Sequence, residues 1–173
     1  MKLSSLEAIF NALNRAKVRF LVVGGVAVNA HGYGRNTFDL DLVIQLEPLN
    51  VDAAFEALGS AGYHPAQPVS AAQFGDPATR AAWIQEKGMV VLRFWSDAHP
   101  ETPVDVFVAE PFDFDAEHRL ALLQELAPGL IVPLVRVETL LSMKRAAGRL
   151  KDLADIDELN LLLGNPSSYD QSR

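Results

Sequence analysis

Apolar residues recur along this chain with two periods, and the changeovers between them lay out its elements. Leu6, Ile9, Phe10 and Leu13 repeat at helical spacing. They predict a first helix over residues 5–16, opened by a capping box between Ser4 and Glu7. Residues 18–23 are apolar without a break, which predicts a strand buried on both faces and therefore central in a sheet. Gly24-Gly25 ends that strand, and the small residues Val26, Ala27, Val28 and Ala30 predict a short helix. A loop over 31–36 follows, broken by Gly32 and Gly34. Beyond it a period of two takes over. Phe38, Leu40, Leu42, Ile44 and Leu46 fall on one face of a strand, an uninterrupted core face, and Thr37, Asp39, Asp41 and Gln45 fall on the other.

The second half reads less regularly. Asn50 is placed to cap a helix over 51–61 that Gly62 stops. Residues 63–73, with two prolines, read as a surface loop. Asp76-Pro77 is a cap followed by proline in the first turn, opening a helix that Gly88 closes. Residues 89–95 and 103–108 predict two strands joined as an antiparallel hairpin. A helix is expected within 112–126, starting near Asp113 or Asp115, then an extended segment over 130–135. Helices follow over 136–148 and 150–163, and residues 164–173 read as a frayed tail. The expected fold is α/β (α+β), a mixed sheet with helices on one face plus C-terminal helices. The expected division is a core over 1–134, a helical segment packed on it over 135–164, and a tail over 165–173.

Composition narrows the classes. With 173 residues, 49% of them hydrophobic, the chain is long enough to bury a core. No apolar run approaches a membrane span, and the amphipathic start does not read as a signal peptide. The absence of cysteine excludes thiolate and disulfide chemistry and fits a cytoplasmic protein. A formal charge of −7 argues against a general nucleic-acid coat. Yet residues 136–151 carry five basic side chains against the single acid Glu138. That run is either a solvated helix surface or a local phosphate site.

The candidate chemistry starts with Asp39 and Asp41, two residues apart on one strand face and so roughly 7 Å apart at their Cα atoms. Like charges this close repel unless a positive group lies between them, and a divalent cation such as Mg²⁺ is the usual one. Asp105 interrupts a hydrophobic strand in which Val104, Val106 and Val108 point the other way. It is either an edge carboxylate facing water or a third member of the site. Gly24-Gly25, between a strand and a helix N-terminus, is either a plain turn or a phosphate cradle. Arg35 is a loop arginine or a phosphate contact. Lys144 takes the next place on the stripe of Val137, Leu140 and Leu141, and either snorkels to water or points into a pocket holding negative charge. His31 reads as structural, because no second His or Cys lies at ligand spacing.

Gly24-Gly25, thirteen residues, Asp39-x-Asp41 and a later strand Asp105 together resemble the DNA polymerase β-type nucleotidyltransferase superfamily. The stretch GGVAVNAHGYGRNTFDLDLVI is most similar to the small bacterial proteins grouped with AbiEii-type nucleotidyltransferase toxins. The segment VETLLSMKRAAGRLKDLADIDEL resembles the C-terminal helical signature of that group, with Lys144, Arg149, Lys151, Asp152 and Asp155 in matching places. The resemblance implies Asp39, Asp41 and Asp105 as ligands of Mg²⁺ (or Mn²⁺), with Asp105 also the general base. Gly24 and Gly25 would hold the β- and γ-phosphates of an NTP, and Arg35 and Thr37 would orient them. Lys144 would contact the phosphates, with Lys151 and Asp152 in support. The activity implied is transfer of NMP to a hydroxyl of tRNA, a protein or a small molecule, as the toxin of a toxin–antitoxin pair with a cognate antitoxin as partner. The competing expectation is a non-catalytic nucleotide-binding or interaction protein that keeps the fold. Gly25 departs from the many members that carry serine there, and the chain is short of the large acceptor-holding helical domain of many relatives.

Overall fold

The computed structural model describes residues 1–164; the expected tail over 165–173 lies outside the described residues. In chain order the elements are α1 (Leu3–Arg15), β1 (Phe20–Val23), α2 (Gly24–Ala30), β2 (Leu40–Ile44), α3 (Pro48–Ser60), β3 (His64–Pro65), α4 (Ala71–Gly75) and α5 (Pro77–Lys87). They continue with β4 (Val91–Trp95), β5 (Val104–Phe107), α6 (Phe114–Arg119), β6 (Leu122–Ala127), β7 (Leu130–Leu134), α7 (Val137–Ala147) and α8 (Leu150–Leu162). The strands form one mixed sheet in the order β3-β4-β5-β2-β1-β7-β6. β1 is internal and fully buried, as its unbroken apolar run predicts.

Strand alternation divides the apolar residues between two layers. Phe20, Val22, Leu40, Leu42, Ile44, Leu92, Val104 and Val106 point to one face, where α1, α3 and α4 close over them. Leu21, Val23 and Val43 point to the other and meet Phe114, Leu140, Leu141, Ile156 and Leu159 from α6, α7 and α8. The second layer covers only part of its face. Over β2, β5 and β4 the sheet stays open, and this gap is the site described below.

Several local expectations give way to tertiary contacts. Helix α1 starts at Leu3 with Lys2 as its cap residue, without a side-chain cap bond, so Ser4 and Glu7 do not act as its capping box. Ser5 instead is buried and donates to Glu101. The helix expected from Asn50 starts at Pro48. Asn50 accepts from the Arg19 N–H at 2.8 Å and donates to the Arg19 and Gln45 carbonyls, joining the start of β1 to the end of β2. Phe38 is 72% exposed, because the strand begins only at Leu40. The loop expected over 63–73 holds β3 and the start of α4, whose capping box pairs Ser70 with Gln73. The helix expected across 112–126 ends at Arg119; beyond it β6 turns back on β7 as an antiparallel hairpin. The Asp76 cap, the Gly88 stop and the β4–β5 hairpin form as the sequence predicts.

Glu117 ties α6 to the start of α7. Its carboxylate is 4% exposed and accepts from the Arg136 backbone N–H and guanidinium and from the Thr139 hydroxyl. Burial pushes this carboxyl up, but the Arg136 and Thr139 bonds outweigh it, and the net direction is down from 4.5. A lowered carboxylate stabilises the fold above its unfolded pKa, and that contribution disappears as pH falls through the folded value. We expect Glu117→Ala to cost about 2–3 kcal/mol at pH 7 in urea unfolding. The gap from the parent chain should narrow as pH falls below the usual carboxylate range; a cost that does not change with pH would contradict this role.

Candidate active site

Sheet register assembles the acid cluster. β2 and β5 run parallel with Asp41 opposite Asp105, so the two side chains leave the same face on adjacent strands. Asp39 lies two residues before Asp41 and shares that face. One carboxylate oxygen from each of Asp39, Asp41 and Asp105 falls within 4.8 Å of the others. β4 adds a cation the sequence reading did not nominate. Arg93 is the antiparallel partner of Asp105, and its Nε and terminal nitrogen donate to Oδ1 and Oδ2 at 2.7 and 2.6 Å. The same terminal nitrogen lies 4.0 Å from Asp39 Oδ2.

The glycines are fixed by these neighbours. Gly24 is the first residue of α2, with φ +62°, and a Cβ there would stand 1.9 Å from Asp41 Oδ2. At Gly25 a Cβ would meet Thr37 Oγ1 at 2.3 Å. Glycine at both positions therefore lets the chain pass against the Asp41 carboxylate and the Thr37 hydroxyl. Burial pushes the Asp41 carboxyl up from 3.8 to about 6, and the Asp39 and Asp105 charges push the same way. Lys151 and a hydrogen bond from the Gly25 backbone act against that rise.

A second charged group forms the adjoining wall. Lys144, on the stripe with Leu140 and Leu141, is buried; its Nζ pairs with Asp152 at 3.2 Å and Asp155 at 2.5 Å. It does not snorkel to water but lines a cavity that holds negative charge, the second expected alternative, and the charge it pairs with is the protein's own, on α8. Arg35 pairs with Asp155 at 2.7 Å, and Arg149 pairs with Asp152 at 2.6 Å. The chain of contacts runs Arg35, Asp155, Lys144, Asp152, Arg149, three cations around two aspartates that are 1% and 0% exposed. Asp152 thus accepts from two cations of its own protein. Burial pushes it up, but the Arg149 and Lys144 hydrogen bonds and charges reverse the direction, to below 3.8.

The loop carrying Arg35 is clamped to α2, since Asn29 accepts from the Arg35 N–H and donates to its carbonyl at 3.0 and 2.9 Å. His31 lies 2.8 Å from the Val135 carbonyl through Nε2, a structural tie as its lack of partners predicts.

Acid cluster and cationic wall enclose one open cavity of ≈ 630 Å³. The candidate site residues named from the sequence line it, except Asp155, which meets it through Arg35 and Lys144, and Thr37, whose Oγ1 lies 3.4 Å from the Asp39 carbonyl oxygen. Val91, Phe107, Met143 and Ala147 form its apolar side. Sequence reasoning missed Arg93, Asn29 and the pairing of Asp155. The Arg93 signal was present: a lone arginine inside an apolar strand, opposite a lone aspartate in the next strand of the same hairpin. Among the described residues no helix is long and apolar enough to cross a membrane.

No family model and no curated protein matches the chain. Solved structures do match it in fold. One is a candidate nucleotidyltransferase from Thermotoga maritima, 12% identical, with a TM-score of 0.54 over 90% of each chain. Another is the antibiotic-resistance factor ANT(2'')-Ia, 15% identical, with a TM-score of 0.54 over 92% of this chain and 83% of that one. At such identities the likeness is one of architecture: the chain has the nucleotidyltransferase fold these two structures share.

Proposed function

We propose that the protein is a metal-dependent nucleotidyltransferase, moving NMP from an NTP to a hydroxyl acceptor with release of pyrophosphate. The observation that carries this reading is the convergence of Asp39, Asp41 and Asp105 on one cavity beside a cationic wall. The donor set fits a hard divalent cation: three carboxylates, oxygens within 4.8 Å, and no Cβ at residue 24 to crowd Asp41. These three residues would hold Mg²⁺ or Mn²⁺, which when bound supplies charge neutralisation for an in-line phosphoryl displacement.

The chain's own groups do the rest. Gly24 and Gly25 keep the backbone open to the β- and γ-phosphates. Arg35, Lys144 and Lys151 offset the triphosphate's charge, and the buried Asp152 and Asp155 hold two of these cations in place. The apolar side, with Phe107 and Met143, takes the nucleoside. Asp105 receives the proton of the attacking hydroxyl.

The AbiEii-like motifs support a finer assignment: a cytoplasmic toxin that modifies tRNA or a protein and is restrained by an antitoxin. The test is incubation with Mg²⁺, each NTP labelled with ³²P at either the α- or the γ-phosphate, and total cellular RNA or protein. Label from the α-phosphate should enter an acceptor, label from the γ-phosphate should not, and Asp105→Asn should abolish transfer. Release of nucleoside monophosphate to water alone would point to a hydrolase, and the absence of both reactions to a non-catalytic binding protein.

A further inference from the structure

We infer that Arg93 is a built-in counter-cation that competes with the divalent metal for Asp105 and so sets the metal affinity of the site. The inference rests on the metal-site reading above and adds a residue outside its ligand set. Four geometric facts carry it. Arg93 grips both oxygens of Asp105, at 2.6 and 2.7 Å, so neither is left without a donor. Its terminal nitrogen also approaches Asp39 Oδ2 at 4.0 Å, so the guanidinium lies between two of the three carboxylates and not behind one of them. The Asp105 side chain is 7% exposed whereas the Arg93 side chain is 51% exposed, so the arginine has room to withdraw and the aspartate does not. Arg93 lines the cavity on the same face as the cluster.

An arginine that merely oriented Asp105 from behind would raise metal affinity, as outer partners of metal ligands commonly do. An arginine between the carboxylates does the opposite. Its charge already supplies the attraction a metal would gain, and a divalent ion held by the same carboxylates would be repelled by the guanidinium. Each Asp105 oxygen keeps a second lone pair, so a metal would bind against the guanidinium's charge and more readily once Arg93 turns away. Without metal, Arg93 keeps three carboxylates assembled that would otherwise push apart.

Titration of Mn²⁺ at 20 °C, followed by loss of the free-ion EPR signal, tests this in the parent chain and in Arg93→Gln, Arg93→Lys and Asp41→Asn. The expected result is half-saturation at roughly tenfold lower Mn²⁺ in Arg93→Gln, with Arg93→Lys in between, because an ammonium cannot hold both oxygens. Binding should be lost in Asp41→Asn. In EDTA, Arg93→Gln should melt below the parent chain, and saturating Mn²⁺ should raise its melting point more than the parent's; a purely structural arginine would give the first effect without the second. Should Arg93→Gln not fold, Arg93→Lys decides alone, by binding Mn²⁺ more tightly than the parent. Equal or weaker binding in the arginine variants, with parent binding that Asp41→Asn removes, overturns the inference and leaves the metal site standing. No Mn²⁺ binding by the parent chain overturns both.

Discussion

Asp41→Asn will make the metal-free protein more stable at pH 7 while removing the proposed transfer activity. Asp41 has its carboxyl pushed up from 3.8 to about 6, first by burial and then by Asp39 and Asp105. A folded-state pKa above the unfolded one means the native protein binds the extra proton. The group therefore costs nothing below about pH 4, costs progressively more between pH 4 and 6, and carries its full cost above that. A two-unit shift corresponds to roughly 2–3 kcal/mol at pH 7. Asparagine keeps the shape and can still accept from the Gly25 backbone, but carries no charge. In EDTA at pH 7 its melting temperature should rise by about 4–10 °C, and the gain should vanish by pH 4. With Mg²⁺ and NTP the order should reverse, since the parent chain gains from ligand binding and the variant does not. Transfer activity should fall by roughly 10²–10³-fold, the scale of losing a group that holds charge in the transition state. A variant no more stable than its parent in EDTA at pH 7 would show that the three carboxylates do not repel one another as their packing implies.

The second large effect lies in the cationic wall. Lys144→Met should destabilise the protein by about 3 kcal/mol, or roughly 6–12 °C, without any nucleotide present. Its ammonium sits between Asp152 and Asp155, themselves 0% and 1% exposed. Removing it leaves two buried carboxylates with one arginine each, and an under-compensated buried charge is far more costly than a missing surface pair. Methionine conserves most of the volume, so the loss reports charge and not a cavity. Asp155→Asn alone should also destabilise, through Arg35 as well as Lys144. The double variant should fall short of the sum by about 1–2 kcal/mol, because both changes break the same contact. Strict additivity, or a melting point within 1–2 °C of the parent, would mean that Lys144 serves only the substrate. The network also predicts a split in kinetics: Arg35 and Arg149 lose their alignment when the aspartates shift, so NTP affinity should weaken along with stability.

These two groups differ in how far the sequence discloses them. Asp39 and Asp41 are legible because a period of two assigns each residue a face and sets the two acids side by side opposite an apolar stripe. Gly24-Gly25 is legible as a chain break but not as a necessity; that its glycines stand against Asp41 and Thr37 is a matter of contacts between separate elements. Lys144 is visible as a misplaced charge on an apolar stripe, whereas its partners are ambiguous from composition, since Asp152 and Asp155 read equally well as the outer face of an amphipathic helix. Where local signals failed outright, a distant partner had taken over the residue: Asn50 bonds Arg19 and Gln45 and does not cap its helix, and residues after Arg119 leave the helix to pair with β7.

Periodicity by itself determined that this chain builds a sheet with a buried central strand, that two acids share one face at the start of another strand, and that helices pack on the sheet. Each of these follows from spacing within a few residues, where backbone geometry leaves little choice. Only the tertiary structure decided that Asp105 stands beside Asp41 and that Arg93 stands beside Asp105. Strand pairing fixes both, and a slip of one residue in either pairing would send Asp105 or Arg93 to the opposite face. Register is set by how both layers pack at once, which no single segment encodes.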